Sequence, residues 1–195
     1  TNGTTLVAVG EAGTVRTSTD GVTWTTRSSG TTTQWFSQVV WTGTQFVVVS
    51  DTGAIRTSPD GITWTARTSG TTNYLAGAAW GASLIVAVGD VGTIRTSPDG
   101  ITWTGRTSGT SELLNAVVWT GTKFVAIGDN DVVLSSPDGI TWSAGTLGVT
   151  SGGMIGLAWN GSQFVAGGVD GEILSSTNGT AWTRRTVGVS GGNLN

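Results

Sequence analysis

Short runs of apolar and β-branched residues recur along the chain, and turn residues separate them. In one unit, LNAVVW at Leu114–Trp119 is followed by a Thr-Gly-Thr turn and then by KFVAIG at Lys123–Gly128. This pattern predicts a β-hairpin. An Asp-Asn turn and a Pro-Asp-Gly turn then precede DVVLSS and ITWS, which predicts a third strand and a fourth strand that begins at Ile140. No helical periodicity accompanies these runs.

The unit is repeated five times. A box of the type SPDGITW begins at Ser18, Ser58, Ser97, Ser136 and Ser176, so successive copies are 40, 39, 39 and 40 residues apart. Such a period, with four short strands in each unit, predicts an all-β, five-bladed β-propeller of four-stranded antiparallel blades. Residues 1–195 are expected to form a single propeller domain, which is either whole or an excerpt of a longer chain.

The two ends of the sequence align with parts of one strand. Thr1 aligns with Trp159 at the end of a first strand, and Asn193–Asn195 align with the beginning of one. We therefore expect the first blade to contain residues from both termini, which would close a ring of five. A longer parent chain with more blades would give the same alignment.

Each box contains an Asp or Asn directly before a Gly, and a Trp four residues after the acid or amide. The residues are Asp20, Trp24, Asp60, Trp64, Asp99, Trp103, Asp138, Trp142, Asn178 and Trp182. The unit resembles the Asp-box, or BNR, repeat of sialidase-like β-propellers, whose pattern is Ser-x-Asp-x-Gly-x-Thr-Trp; here the box is one residue shorter. Because Asp before Gly stabilises a tight turn and Trp can cover the end of a blade, we predict that these ten residues are structural.

Composition excludes several classes of function. Only 11% of residues are charged, the net charge is −3 and nine residues are basic, so a nucleic-acid partner is not expected. The chain has no cysteine for disulfides or thiolate chemistry. No run approaches the roughly 20 apolar residues that span a bilayer, so membrane insertion is not expected either.

The resemblance to sialidase-like propellers implies an arginine cluster, a Tyr nucleophile with a Glu partner, and an acidic proton donor. Tyr74 is the only tyrosine, the three glutamates lie in different units, and there is no histidine. We therefore predict no enzyme activity, no catalytic residue, no metal and no cofactor. A sialidase-like glycoside hydrolase stays as the third alternative.

An acidic residue follows the second predicted strand of each unit. The set is Glu11, Asp51, Asp90, Asp129 and, one place later in the last unit, Asp170. A closed propeller would arrange them in a ring. Asp is common in tight turns for local reasons; the alternative is a cation site or an acceptor-rich face for sugar hydroxyls.

The loop from each fourth strand to the next unit emerges on the same face and differs most among the copies. Its variable positions hold Trp35, Tyr74 and Leu113, with Gly153-Met154 and Gly192-Asn193 in the later units. Variation on one face of a repeated scaffold is typical of binding surfaces. The alternative is that Trp35 and Tyr74 cap the core.

These patterns favour a non-enzymatic binding or adhesion module that recognises a glycan or a surface on a cell or virion. A purely structural role in a larger extracellular or viral assembly is the alternative. We expect an extracellular, cell-surface or virion location, with a glycan or surface protein as partner and with homo-oligomers or larger assemblies as a further option.

Overall fold

The computed structural model describes residues 1–148 and 153–185, and they form an all-β fold of five antiparallel sheets. The first sheet contains β1 (Leu6–Val9), β2 (Val15–Ser18) and β3 (Thr25–Arg27). The second contains β4 (Phe36–Trp41), β5 (Phe46–Ser50), β6 (Ile55–Ser58) and β7 (Thr65–Arg67). The third contains β8 (Leu75–Gly81), β9 (Leu84–Gly89), β10 (Ile94–Ser97) and β11 (Thr104–Arg106).

The fourth sheet contains β12 (Leu114–Trp119), β13 (Phe124–Gly128), β14 (Val132–Ser136) and β15 (Ser143–Thr146). The fifth contains β16 (Met154–Trp159), β17 (Phe164–Gly168), β18 (Ile173–Ser176) and β19 (Thr183–Arg185). A short 3₁₀ turn at Val169–Gly171 precedes β18. No helix in the described part of the chain is long and apolar enough to cross a bilayer.

Each sheet is a meander whose strands pair in sequence order, and the innermost strands β4, β8, β12 and β16 lie next to one another in turn. This arrangement confirms the predicted five-bladed propeller. The first blade has three strands within the described residues. The predicted contribution of Asn193–Asn195 to that blade lies outside the described residues.

Each box is a hydrogen-bonded turn between the third and fourth strands of its blade. In the third blade, Asp99 Oδ1 accepts hydrogen bonds from the backbone N–H groups of Ile101 at 2.8 Å and Thr102 at 2.9 Å. The Ser97 hydroxyl donates to the same oxygen at 3.0 Å and accepts from the Gly100 N–H at 2.8 Å. The carboxylate therefore satisfies backbone donors that a tight turn leaves unpaired.

These bonds also correct the predicted start of the fourth strand. In the fourth blade, Ile140 and Thr141 donate their N–H groups to Asp138 Oδ1, so those groups are not available to a strand ladder. Accordingly β15 begins at Ser143, after the box Trp, and not at Ile140. The indole N–H of Trp142 donates to the carbonyl of Gly139 at 3.0 Å, which fixes the half-buried ring over the turn.

The hydrophobic core is divided into layers between successive blades. We call the side of a blade that contacts the preceding blade its leading face, and the side that contacts the following blade its trailing face. In the layer between the second and third blades, Val47 and Val49 of the trailing face pack against Leu75 and Ala87 of the leading face. Comparable layers join the first to the second, the third to the fourth, and the fourth to the fifth blade. Each blade therefore covers its neighbour, as expected for repeats that cannot bury their faces alone.

Candidate binding face at the channel mouth

The two variable sets predicted from the sequence meet on one face of the propeller. In the second, third and fourth blades, the N–H of the acidic-turn residue donates to the carbonyl of the residue before the inner strand of the same blade. The pairs are Asp51 to Trp35 at 3.0 Å, Asp90 to Tyr74 at 2.8 Å, and Asp129 to Leu113 at 3.0 Å. In the fifth blade, Val169 donates to Gly153 at 3.2 Å. We call this surface the channel-mouth face.

Glycine at the end of the second strand permits this close approach of the two loops. A Cβ at Gly89 would overlap the carbonyl oxygen of Tyr74, and one at Gly128 would overlap that of Leu113. In these two blades the absence of a Cβ therefore suits the approach of another backbone, whereas the second blade makes the same hydrogen bond with Ser50 at this position.

Asp51 interacts with both aromatic residues of the channel-mouth face. Its Oδ1 accepts the backbone N–H of Trp35 at 3.1 Å, and the indole of Trp35 is 51% exposed. Tyr74, from the next blade, is half-buried. Burial, and then the negative charge of Asp51, raise the pKa of the Tyr74 hydroxyl. A single carboxylate therefore accepts the backbone N–H of one aromatic residue and acts electrostatically on another in the next blade.

The later blades lack these aromatic side chains. Leu113 is half-buried, and Gly153 stands at the corresponding position of the fifth blade, where a Cβ would overlap the carboxylate of Asp129. Asn115 holds that carboxylate by donating from Nδ2 to Asp129 Oδ1 at 2.9 Å. The channel-mouth face thus carries aromatic residues on the second and third blades, and Leu113 and Gly153 in their place on the fourth and fifth.

One predicted site residue does not reach this face. Met154 is completely buried and belongs to the core layer between the fourth and fifth blades. It occupies the anchor position of Phe36, Leu75 and Leu114, which are also buried, so it cannot contact a ligand. Asn193, also predicted as a site residue, lies outside the described residues.

The remaining acidic turns are exposed and separate. Glu11, Asp90 and Asp170 are exposed, and Asp90 Oδ1 accepts the N–H of Val91 at 2.9 Å, as in an ordinary turn. Within residues 1–148 and 153–185, no three His, Cys, Asp or Glu side chains gather closely enough to hold a metal ion. The acidic set therefore offers single acceptors around the channel mouth.

A cavity of about 430 Å³ runs along the inner strands below this face, and Tyr74 is among its lining residues. Three polar residues that the sequence reasoning missed also line it: Ser37, Gln38 and Asn115. Ser37 and Asn115 are the extra residues of β-bulges in β4 and β12. The Ser37 hydroxyl donates to the carbonyl of Leu75, and Asn115 Nδ2 donates to that of Met154 at 3.0 Å. Each of these side chains thus ties an inner strand to the next blade.

The sequence matches no protein-family model and no curated protein. Solved structures with a similar fold include YCF48 bound to a D1 peptide, with 19% identity, a TM-score of 0.57, and coverage of 91% of this chain and 76% of that chain. YCF48 from Cyanidioschyzon merolae has 16% identity and a TM-score of 0.68, over 95% of this chain and 71% of that one. The computationally designed Ika8 protein has 15% identity and a TM-score of 0.73; the match covers 91% of this chain but only 56% of the designed chain. At these identities the likeness supports the propeller fold alone.

Proposed function

We propose that this propeller is a non-enzymatic binding module and that it binds a glycan at the channel-mouth face. The observation that carries the proposal is that the exposed residue Trp35 donates its backbone N–H to Asp51, whose negative charge also acts on Tyr74 of the next blade. Single exposed apolar residues are common on protein surfaces. An exposed Trp together with a polar acceptor differs from these, because a ligand site combines apolar and polar groups.

The chemistry of sugars suits this arrangement. The C–H face of a sugar ring can pack on an aromatic face while its hydroxyls donate to a carboxylate. The carboxylate of Asp51 offers oxygen atoms that accept hydrogen bonds from such hydroxyls. A neutral sugar would thus gain apolar contact from Trp35 and Tyr74 and hydrogen bonds from Asp51.

The number of such places is small. Leu113 and Gly153 replace the aromatic residues in the fourth and fifth blades, so those blades would contribute little to sugar binding. One propeller would bind such a ligand weakly, because only two aromatic residues on an open surface contact it. Several copies displayed together would raise the apparent affinity through avidity, which suits an adhesive role outside a cell or on a virion.

The resemblance of the boxes to the Asp-box repeat fits a structural role for the boxes within this proposal. Their carboxylates are used in turn hydrogen bonds, as at Asp99, and they lie in a turn separate from the acidic turns of the channel-mouth face. Ligand binding would therefore depend on the variable loops and not on the repeated boxes.

A segment of a protein partner is the second candidate ligand. One propeller of similar fold was solved with a bound peptide. In this chain the cavity below the channel-mouth face offers Ser37, Gln38 and Asn115 as polar groups beside small inner-strand residues. Binding of an extended peptide there would make the propeller a component of a larger assembly.

Titration of a glycan panel and a peptide panel, followed by Trp fluorescence, tests both candidates. A Trp35→Ala, Tyr74→Ala double variant should lose at least about tenfold in affinity for the glycan that binds, which is the loss expected when stacking contacts are removed. Trp24→Ala is the matched control, since Trp24 is also exposed but belongs to a box.

Equal glycan binding by the double variant and the wild type would contradict the channel-mouth proposal. Binding of peptides alone, with loss on Asn115→Ala, would favour the second candidate.

A further inference from the structure

The trailing face of the fifth blade has the composition of a blade interface, but no blade covers it within residues 1–148 and 153–185. The same strand position holds Val47, Val86, Val125 and Val165 in the second to fifth blades. The first three are 0% exposed, whereas Val165 is 43% exposed. Ile173, which corresponds to the buried Ile55 and Ile94, is likewise only half-buried. The difference arises from the missing neighbour, because the residue types are the same.

The leading face of the first blade is uncovered in the matching way. Ala8 is exposed, although the residues at its position in the other blades, Val48, Ala87, Ala126 and Ala166, are 0% exposed. The box glycine Gly21 is exposed as well, whereas Gly61, Gly100, Gly139 and Gly179 are buried.

The internal layers show what such a glycine contacts. A Cβ on Gly61 would lie 3.0 Å from Val7 of the preceding blade, and one on Gly179 would lie 3.1 Å from Val125. For Gly21, the neighbour found within 4 Å is Leu6 of its own blade. At the other four box glycines a side chain of the preceding blade fills this position, whereas none from another blade does so at Gly21.

We propose that the trailing face of the fifth blade binds the leading face of the first blade of a second copy of this chain. Within the described arrangement both faces are uncovered on the same molecule, so another copy presents the complement of each. The four internal layers establish that these two kinds of face fit each other. Exposed apolar surface with a defined complement is the general mark of a protein interface.

Individual contacts of this interface follow from the internal layers. Val165 would pack on Gly21, as Val125 packs on Gly179. Gln163 occupies the position of Gln45, whose Nε2 donates to the carbonyl of Asp99 in the next blade at 2.7 Å. Gln163 would donate in the same way to the carbonyl of Asp20 of the second copy.

The association is head to tail, because its two surfaces differ. Each copy that binds through one face keeps the other face free, so such contacts produce a ring if they close and an extended assembly if they do not. An extended assembly should gain mass with concentration beyond a dimer, whereas a closed ring should stop at a fixed number of copies.

Sedimentation velocity over a wide concentration range tests the proposal. The wild type should associate, and Val165→Glu should weaken association by about tenfold or more, because a carboxylate would be buried without a partner. Ala8→Glu should do the same from the other face. Both residues are exposed, so neither change should unfold the single chain. Ile101→Glu, at an exposed apolar residue of the third box, is the matched control and should associate as the wild type does.

A mixture of the two variants distinguishes this interface from others. The Val165→Glu chain keeps an intact first blade and the Ala8→Glu chain keeps an intact fifth blade, so together they should form a one-to-one dimer that cannot extend. A wild type that stays monomeric at every concentration would overturn the proposal. If, in addition, Val165→Glu lowered the unfolding temperature of that monomer, the first blade of the same chain would be the occupant.

Discussion

Single side chains determine the geometry of every box turn. Backbone hydrogen bonds from Thr23 and Val22, and then the Ser18 hydroxyl, lower the pKa of Asp20 to about 2. The same kind of hydrogen bonds lower the pKa of Asp60, Asp99 and Asp138. In the fifth box, Asn178 Oδ1 accepts the N–H groups of Thr180 and Ala181 at 3.0 and 2.9 Å, so a neutral amide makes the same bonds. The negative charge is therefore favourable in these turns but not required.

This equivalence predicts the acid response of the fold. A carboxylate with a lowered pKa in the folded state contributes stability above its unfolded pKa of about 4 and loses it as the pH falls towards the folded value. Stability should thus decline between about pH 4 and pH 2. Asp99→Asn should reduce that decline and preserve most of the stability at pH 7, whereas Asp99→Ala should cost about 1 kcal/mol there, as at other polar caps. Urea unfolding at several pH values measures both; an unchanged acid response in Asp99→Asn would contradict this account.

At the scale of elements, the box connects the strands of one blade and also packs on the preceding blade. Gly139 has a φ of +73°, which favours glycine, and it lies directly against Leu84 and Val86 of the third blade. The turn and the hydrophobic layer therefore depend on the same residue. Gly109 also has a positive φ, of +80°, but no atom lies within 4 Å of the position a Cβ would take. A substitution at Gly109 would therefore cause backbone strain without overpacking.

We expect Gly109→Ala to cost about 1 kcal/mol, the approximate strain of a left-handed alanine. Gly139→Ala should cost about 2–4 kcal/mol, because overpacking of the layer adds to that strain. Chemical denaturation of the two variants measures the difference. Equal losses would mean that the box glycines are kept for their torsion angles alone.

The sequence predicted the elements better than it predicted the site. Apolar runs bounded by turn residues located β12 at Leu114–Trp119, as observed, since strand formation there depends on local signals. The start of β15 was wrong because the side chain of Asp138 takes backbone donors that a strand would need. Ser37 and Asn115 were missed because a bulge interrupts the alternation from which the facing of a strand residue is read. Met154 was misassigned because its burial depends on the adjacent blade.

At the scale of the whole molecule, stability is distributed over the layers between blades. Blades two to four are covered on both faces, whereas the first and fifth are covered on one face each within the described residues. In a stacked array, each unit depends on its neighbours, so the outer units should open more readily than the inner ones.

Hydrogen exchange measured in dilute solution should show this gradient. Amides of β1, β2, β17 and β18 should exchange about tenfold or more faster than those of β9 and β10, because fewer layers must open to expose them. Protection of the outer blades should rise with protein concentration if copies associate. Uniform protection of all five blades in dilute solution would contradict the gradient.

The unlike leading and trailing faces also bear on how the gene could change. Because each layer joins one trailing face to one leading face, any unit can follow any other without a new kind of contact. Recombination between the gene segments that encode the identical residues Arg56–Thr65 and Arg95–Thr104 would add or remove a unit of 39 residues in register. Every remaining internal layer would still be correctly formed. Blade number could therefore vary during evolution while each encoded blade stayed foldable.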